Sequence, residues 1–161
     1  MLALSDSKQS EQAEARNETE AERLDRNLME LLQELRVASI GVQFLFAFLL
    51  VVPFQQRFAT VTSFQKTTYF VTLLLAAVSC AFLIAPSAHH RILFRARGKL
   101  HLLITANRLA IVGIGFLAAA IVGVLTLITD FLYGTTTTII VTVAAAGVFA
   151  ALWYALPLRQ R

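Results

Sequence analysis

The chain has 161 residues, of which 57% are hydrophobic and 15% charged, whereas a soluble domain carries about a quarter charged residues. The length suits one domain, and a surface this poor in charge excludes a globular protein that faces water on all sides. The formal charge of +4 is unevenly spread: the region before Val37 is net acidic, and the rest is net basic with Asp130 as its sole carboxylate. The basic residues stand at the ends of apolar runs, where they would meet anionic lipid headgroups, so nucleic acid is not an expected partner.

Residues 1 to 20 are rich in Ser, Gln, Glu and Ala and lack aromatic residues. Such a composition buries too little surface to offset ordering entropy, which predicts a disordered acidic tail. This polar start also lacks the basic and apolar succession of a cleavable signal peptide, and no cleavage is expected. From Ala21 onward Leu24, Leu28, Leu31, Leu32 and Leu35 recur at three- and four-residue spacing, the period of an amphipathic helix. Glu22, Arg26 and Glu30 follow one another at i,i+4 and support it. No Gly or Pro intervenes before Gly41, so this cytosolic helix is predicted to continue into the first membrane span.

Span one is expected over about 36–54, free of formal charge from Val37 to Phe54 and closed by Pro53. A polar loop, QQRFATVTSFQKTT, leads to span two at about 69–88, with Tyr69 at one interface and Pro86 near the other. The connector HHRILFRARGKLH carries four basic residues and three histidines. Span three is expected over about 104–128, followed by the short turn DFLYGTTTT, and span four over about 137–156. Runs of about twenty apolar residues are too long for barrel strands, so the fold class is all-α, a four-transmembrane-helix bundle forming one membrane domain over 21–161. Ten Lys and Arg residues flank the spans on the side of both termini and the middle connector, against Arg57 and Lys66 on the other. That bias predicts a multi-pass protein with N- and C-termini cytoplasmic.

The polar groups at span depth are few. Arg36, Ser39 and Gln43 share one face of span one, which suits either interhelical bonding or the lining of a path, with Asp130 near the outer mouth. No Asp, Glu, Lys, Arg or His lies near the middle of any span, which argues against an ion-coupled transporter but leaves a passive channel open. A second group gathers at the cytoplasmic level: Glu30, Glu34, Arg36, His90, Arg91, Asn107 and Arg108. Salt bridging beneath the bundle is its expected role, and Arg95, Arg97 and Lys99 are expected to meet lipid headgroups. Small residues recur at four-residue spacing as Gly115, Ala119 and Gly123 in span three and as Gly147, Ala151 and Ala155 in span four. These rows are expected to pack helices, between spans three and four or between copies.

Catalytic patterns are absent: there is no His-Glu-x-x-His, no Gly-rich phosphate loop, no Gly-x-Ser-x-Gly, and Asp130 has no carboxylate partner. The lone Cys80 excludes an internal disulfide and a Cys-based metal site. His89 and His90 are adjacent and diverge on a helix, so no metal and no cofactor is expected. The residues thus point to a non-enzymatic oligomeric scaffold or accessory subunit that associates with itself or a larger membrane partner. The alternative is an oligomeric passive ion channel lined by span one.

Three stretches, NLMELLQELRVASIGVQFLFAFLLVVPFQQRF (27 to 58), LIAPSAHHRILFR (83 to 95) and ANRLAI (106 to 111), resemble an uncharacterised family of small bacterial, largely actinobacterial, four-span membrane proteins. The resemblance extends over about residues 22 to 134. It implies the four-span topology and a bacterial inner membrane, and it implies that the interfacial group Glu30, Glu34, Arg36, His90, Arg91, Asn107 and Arg108 belongs to the family's pattern. It implies no activity.

Overall fold

The structure is a computed structural model that describes residues 20–92 and 99–159. Four long helices make an all-α bundle: α1 (Glu20–Val51), α2 (Ser63–Ile92), α3 (Lys99–Tyr133) and α4 (Thr135–Ala150). A single π turn, Ala151–Ala155, and a last helical turn, α5 (Leu156–Arg159), extend α4. All four carry stretches long and apolar enough to cross a bilayer, so the chain is a multi-pass membrane protein. The expected tail over 1–20 lies almost wholly outside the described residues, its last member Glu20 opening α1.

The unbroken α1 has 32 residues and so a length of about 48 Å, well beyond the roughly 30 Å hydrocarbon core. Its amphipathic first half therefore projects from the membrane as a continuation of span one. Arg26 reaches Glu30 at 3.9 Å on this projecting part, both side chains exposed, a pair worth about 0.3–0.5 kcal/mol.

The helices extend beyond the expected spans at both ends of α2 and α3 and at the start of α4. Helix α2 starts at Ser63, taking up half of the expected polar loop, and passes through the buried Pro86 to Ile92. Helix α3 runs on to Tyr133 and α4 begins at Thr135, so the expected nine-residue turn shrinks to Gly134. With φ 82° and ψ −177°, Gly134 occupies a region open essentially to glycine alone. At the start of α2 the helix is capped by Thr62 and Gln65, and at the start of α4 the Thr138 hydroxyl donates to the Gly134 carbonyl within the first turn.

Buried positions repeat with a period of seven. On α1 they are Leu28, Leu35, Val42 and Leu49, and on α2 Gln65, Tyr69, Thr72, Ala76, Ser79, Leu83 and Pro86. On α3 Ala106, Ala110, Gly113 and Ala120 carry the same three-and-four alternation. This 3.5-residue repeat belongs to nearly parallel helices packed knobs-into-holes. Leu35, Val42, Leu83 and Ala110 form one core layer. Leu49, Tyr69, Ala76 and Ala120 form a second towards the α1–α2 connection.

The α2–α3 interface is the most extensive, and α1 packs on both of these helices. Helix α4 packs on α3 and, among the described residues, on neither α1 nor α2. Gly113 and Gly115, two residues apart, point to opposite sides of α3: a Cβ on Gly113 would meet Leu83 of α2, and one on Gly115 would meet Tyr154 beyond α4. Helix α3 is therefore the central element, sandwiched between α2 and α4.

Hydrogen bonds cross the α2–α3, α1–α2 and α3–α4 interfaces. The Ser79 hydroxyl donates to the Gly113 carbonyl at 2.8 Å, and the Tyr69 hydroxyl donates to the Leu49 carbonyl at 2.9 Å. Thr126 and Thr142 lie 2.8 Å apart, and Thr126 spends its proton on the Val122 carbonyl. A hydroxyl has one proton to give, so Thr142 is the donor across α3–α4. The Tyr154 hydroxyl donates to the Ile111 carbonyl at 3.2 Å and holds the π turn against α3.

Candidate functional site

The best-formed polar constellation lies at the end of the bundle where α1 joins α2. Pro53 begins a 3₁₀ turn, Val52–Phe54, and a second turn, Gln56–Thr60, leads the chain across the helix ends. Thr62 and Gln65 then close a capping box at the start of α2. The Gln65 amide N–H donates to the Thr62 hydroxyl at 3.2 Å, and the Thr62 N–H donates to the Gln65 side-chain oxygen at 3.1 Å. Two of the helix's orphan donors are thereby satisfied. The Gln65 side-chain NH₂ remains, and it donates to Asp130 Oδ2 at 3.0 Å. One buried glutamine thus caps α2 and ties it to the last turns of α3.

Beside this tie lies a cavity of about 280 Å³, walled by apolar side chains that include Val52, Phe58, Val61, Leu127, Ile128 and Phe131. Arg57 stands at its rim with its guanidinium 5.9 Å from the centre of the Phe131 ring, a cation–π arrangement. Phe58 meets Tyr69 edge to face at 5.3 Å and fixes the connection to α2. Asp130 was legible in the sequence as an isolated carboxylate at the end of span three. Gln65, Arg57 and the cavity were not singled out, although the Thr-x-x-Gln spacing at Thr62 is a readable capping signature.

The other sequence candidates are dispersed. Ser39, one turn before the Val42 core position, is half-buried at the edge of the core face, and Gln43 is exposed. Asp130 sits against α2, so Ser39, Gln43 and Asp130 do not line one passage. The space among α1, α2 and α3 is filled by the two apolar core layers, and a conducting path would have to run between copies. Glu30, Glu34, Arg36, Asn107 and Arg108 are all exposed. Among the described residues, no ion pair joins α1 to Arg108. Arg95 and Arg97 lie outside the described residues, as do the side chains of His90, Arg91 and Lys99.

The four-residue ladders do not form a common seam. Gly115 faces Tyr154, Gly123 faces Thr72 of α2, and a Cβ on Gly147 would have nothing within 4 Å. Ala119, Ala151 and Ala155 are exposed. Each four-residue step turns about 40° further round the helix, so Gly115 and Gly123 end against different neighbours. The close-packed seam is α2–α3, where Gly123 joins Ala76, Ser79, Ala110, Gly113 and Ala120.

Among the described residues, no three His, Cys, Asp or Glu side chains gather to hold a metal ion, and no buried side-chain polar atom lacks a hydrogen-bond partner. What the arrangement offers chemically is an apolar cavity at the level where hydrocarbon gives way to headgroups, with a cation at its rim and a rigid amide–carboxylate tie beside it. No curated protein and no solved structure matches the chain. The sequence profile of a family of unknown function (DUF6328) matches residues 17–157, nearly the whole chain, and the protein belongs to that family.

Proposed function

We propose that this protein is a non-enzymatic scaffold or accessory subunit of the bacterial inner membrane that assembles with further copies of itself through the outer face of α1. Gln43 carries this reading. Its amide is exposed, six residues inside the charge-free stretch that begins at Val37, and has no partner among the described residues. An unpaired amide facing hydrocarbon costs several kcal/mol. A second Gln43 supplies both donor and acceptor, so a two-fold pair of α1 helices satisfies both amides at once.

The expected result is that Gln43→Leu weakens self-association about 3- to 30-fold, the range set by interhelical polar contacts of about 0.6–2 kcal/mol in bilayers. Sedimentation equilibrium in a mild detergent measures it. A monomeric parent protein, or an unchanged dissociation constant in the variant, would overturn the reading.

The Lys and Arg distribution supports cytoplasmic termini, and the family resemblance supports a bacterial inner membrane. A phosphatase fused after Arg161 is expected to be inactive, and one fused at Gln56 active. The reverse pattern would invert the proposed orientation.

A further inference from the structure

The apolar cavity beside the Gln65–Asp130 tie has a depth profile that selects its occupant. Val52, Leu127 and Ile128 belong to the apolar spans, whereas Arg57 lies in the 3₁₀ segment beyond the end of α1. The cavity therefore bridges hydrocarbon depth and headgroup level. Its α3 wall includes Ile128 at 50% and Leu132 at 61% exposure, so it opens sideways towards lipid instead of being sealed within the bundle. Water has no reason to stay there, because an apolar cavity offers it no hydrogen-bond partners. The adjoining Gln65 side chain is no exception: its NH₂ is engaged by Asp130 and its oxygen by the Thr62 N–H.

The rim has the opposite character. Arg57 is exposed and, among the described residues, pairs with no carboxylate. Its contact with the Phe131 face holds the guanidinium over the cavity mouth and leaves its N–H edge for a planar or tetrahedral anion. Asp130, the nearest acid in the sequence of α3, is bound to Gln65. An apolar slot at acyl depth with a free cation at phosphate depth matches an amphiphile with an anionic head.

We propose that this cavity holds an acyl chain of an anionic phospholipid, with Arg57 meeting its phosphate. The site stands whether or not copies associate through Gln43, since the two lie on different parts of the molecule. Native mass spectrometry of the full chain in mild detergent tests it, with phosphatidylglycerol and phosphatidylcholine of identical chains as probes. The unaltered protein is expected to retain phosphatidylglycerol about fivefold better, the preference that one basic residue gives at a lipid surface. Arg57→Gln should bring the two lipids level, and Val61→Trp, which fills the cavity from the connection side, should reduce retention of both. Equal retention by the unaltered protein would overturn the proposal. So would a preference that survives Arg57→Gln, or full retention by a folded Val61→Trp protein.

Discussion

Gly123→Ala should destabilise the folded protein by about 1–3 kcal/mol, the usual cost of forcing a methyl group into a filled interface. Glycine at 123 lets α3 lie directly on the Thr72 side chain, and an added Cβ would collide with the Thr72 hydroxyl and stand 3.2 Å from its Cβ and its methyl group. The hydroxyl cannot simply turn aside, because it donates to the Thr68 carbonyl at 2.7 Å and Thr72 is almost wholly buried. The helices must then separate, which also stretches the Ser79 to Gly113 hydrogen bond further along the same interface. Reversible unfolding in mixed micelles measures the loss. In a Thr72→Ala background, which removes the hydroxyl and the methyl group, Gly123→Ala should cost less than about 1 kcal/mol, the non-additivity expected of touching residues. Gly147→Ala is the matched control and should cost nothing, since that position faces open space.

That contrast between two glycines explains what could and could not be read from the sequence. Apolar runs fixed the number and approximate limits of the spans, because hydrocarbon thickness dictates their length. The continuity of α1 through Arg36 was legible for a similar reason, there being no residue that breaks a helix between Ala21 and Gly41. The neighbour each face meets was not legible. In water the apolar side of a helix points inward, but in lipid both sides are apolar, and burial loses its signature in composition. Phe48, at 74% exposure, and Val42, wholly buried, are equally hydrophobic choices. Only the seven-residue recurrence of Leu28, Leu35, Val42 and Leu49 separates them. Gly115, Ala119 and Gly123 recur every four residues, yet the working repeat on α3 alternates four and three from Ala106 through Ala110 to Gly113.

The candidate site was legible in a similarly partial way. Asp130 stands out in any reading as the only acid after Glu34. Its partner is 65 positions earlier, and Gln65 looks like one more polar loop residue until the capping box is recognised. Once Thr62 and Gln65 are paired, the loop shortens, α2 begins near the membrane surface, and the second donor of Gln65 is free to reach another helix. A single local motif thus determines where α2 starts and what Asp130 does. Gln43 shows the converse: its membership of the Arg36–Ser39–Gln43 face followed from helical spacing, while its exposure depended on the position of Val42 against α2 and α3.

Tyr69→Phe should cost about 1–3 kcal/mol, the penalty for leaving a buried acceptor without a donor, although interhelical hydrogen bonds in bilayers average only about 0.6 kcal/mol. The reason lies in Pro53. In a continuing helix the Leu49 carbonyl would accept from the N–H of residue 53, and proline has none. The Tyr69 hydroxyl, 2.9 Å away and buried, takes that place. Most polar groups in a membrane find a substitute partner when one is removed, which keeps the average low, but an acceptor within the Leu49–Tyr69–Ala76–Ala120 core layer has no water to turn to. Phenylalanine keeps the edge-to-face contact with Phe58 at 5.3 Å, so the loss isolates the hydroxyl. The same unfolding assay reads it, and Pro53→Ala supplies the decisive comparison. Restoring an N–H at residue 53 gives the Leu49 carbonyl a donor from its own helix, so Pro53→Ala should recover at least half of the stability lost in Tyr69→Phe. If the double variant is no more stable than Tyr69→Phe alone, the tyrosine does not act as the proline's complement, and the closure of α1 must be sought in the 3₁₀ turns that follow it.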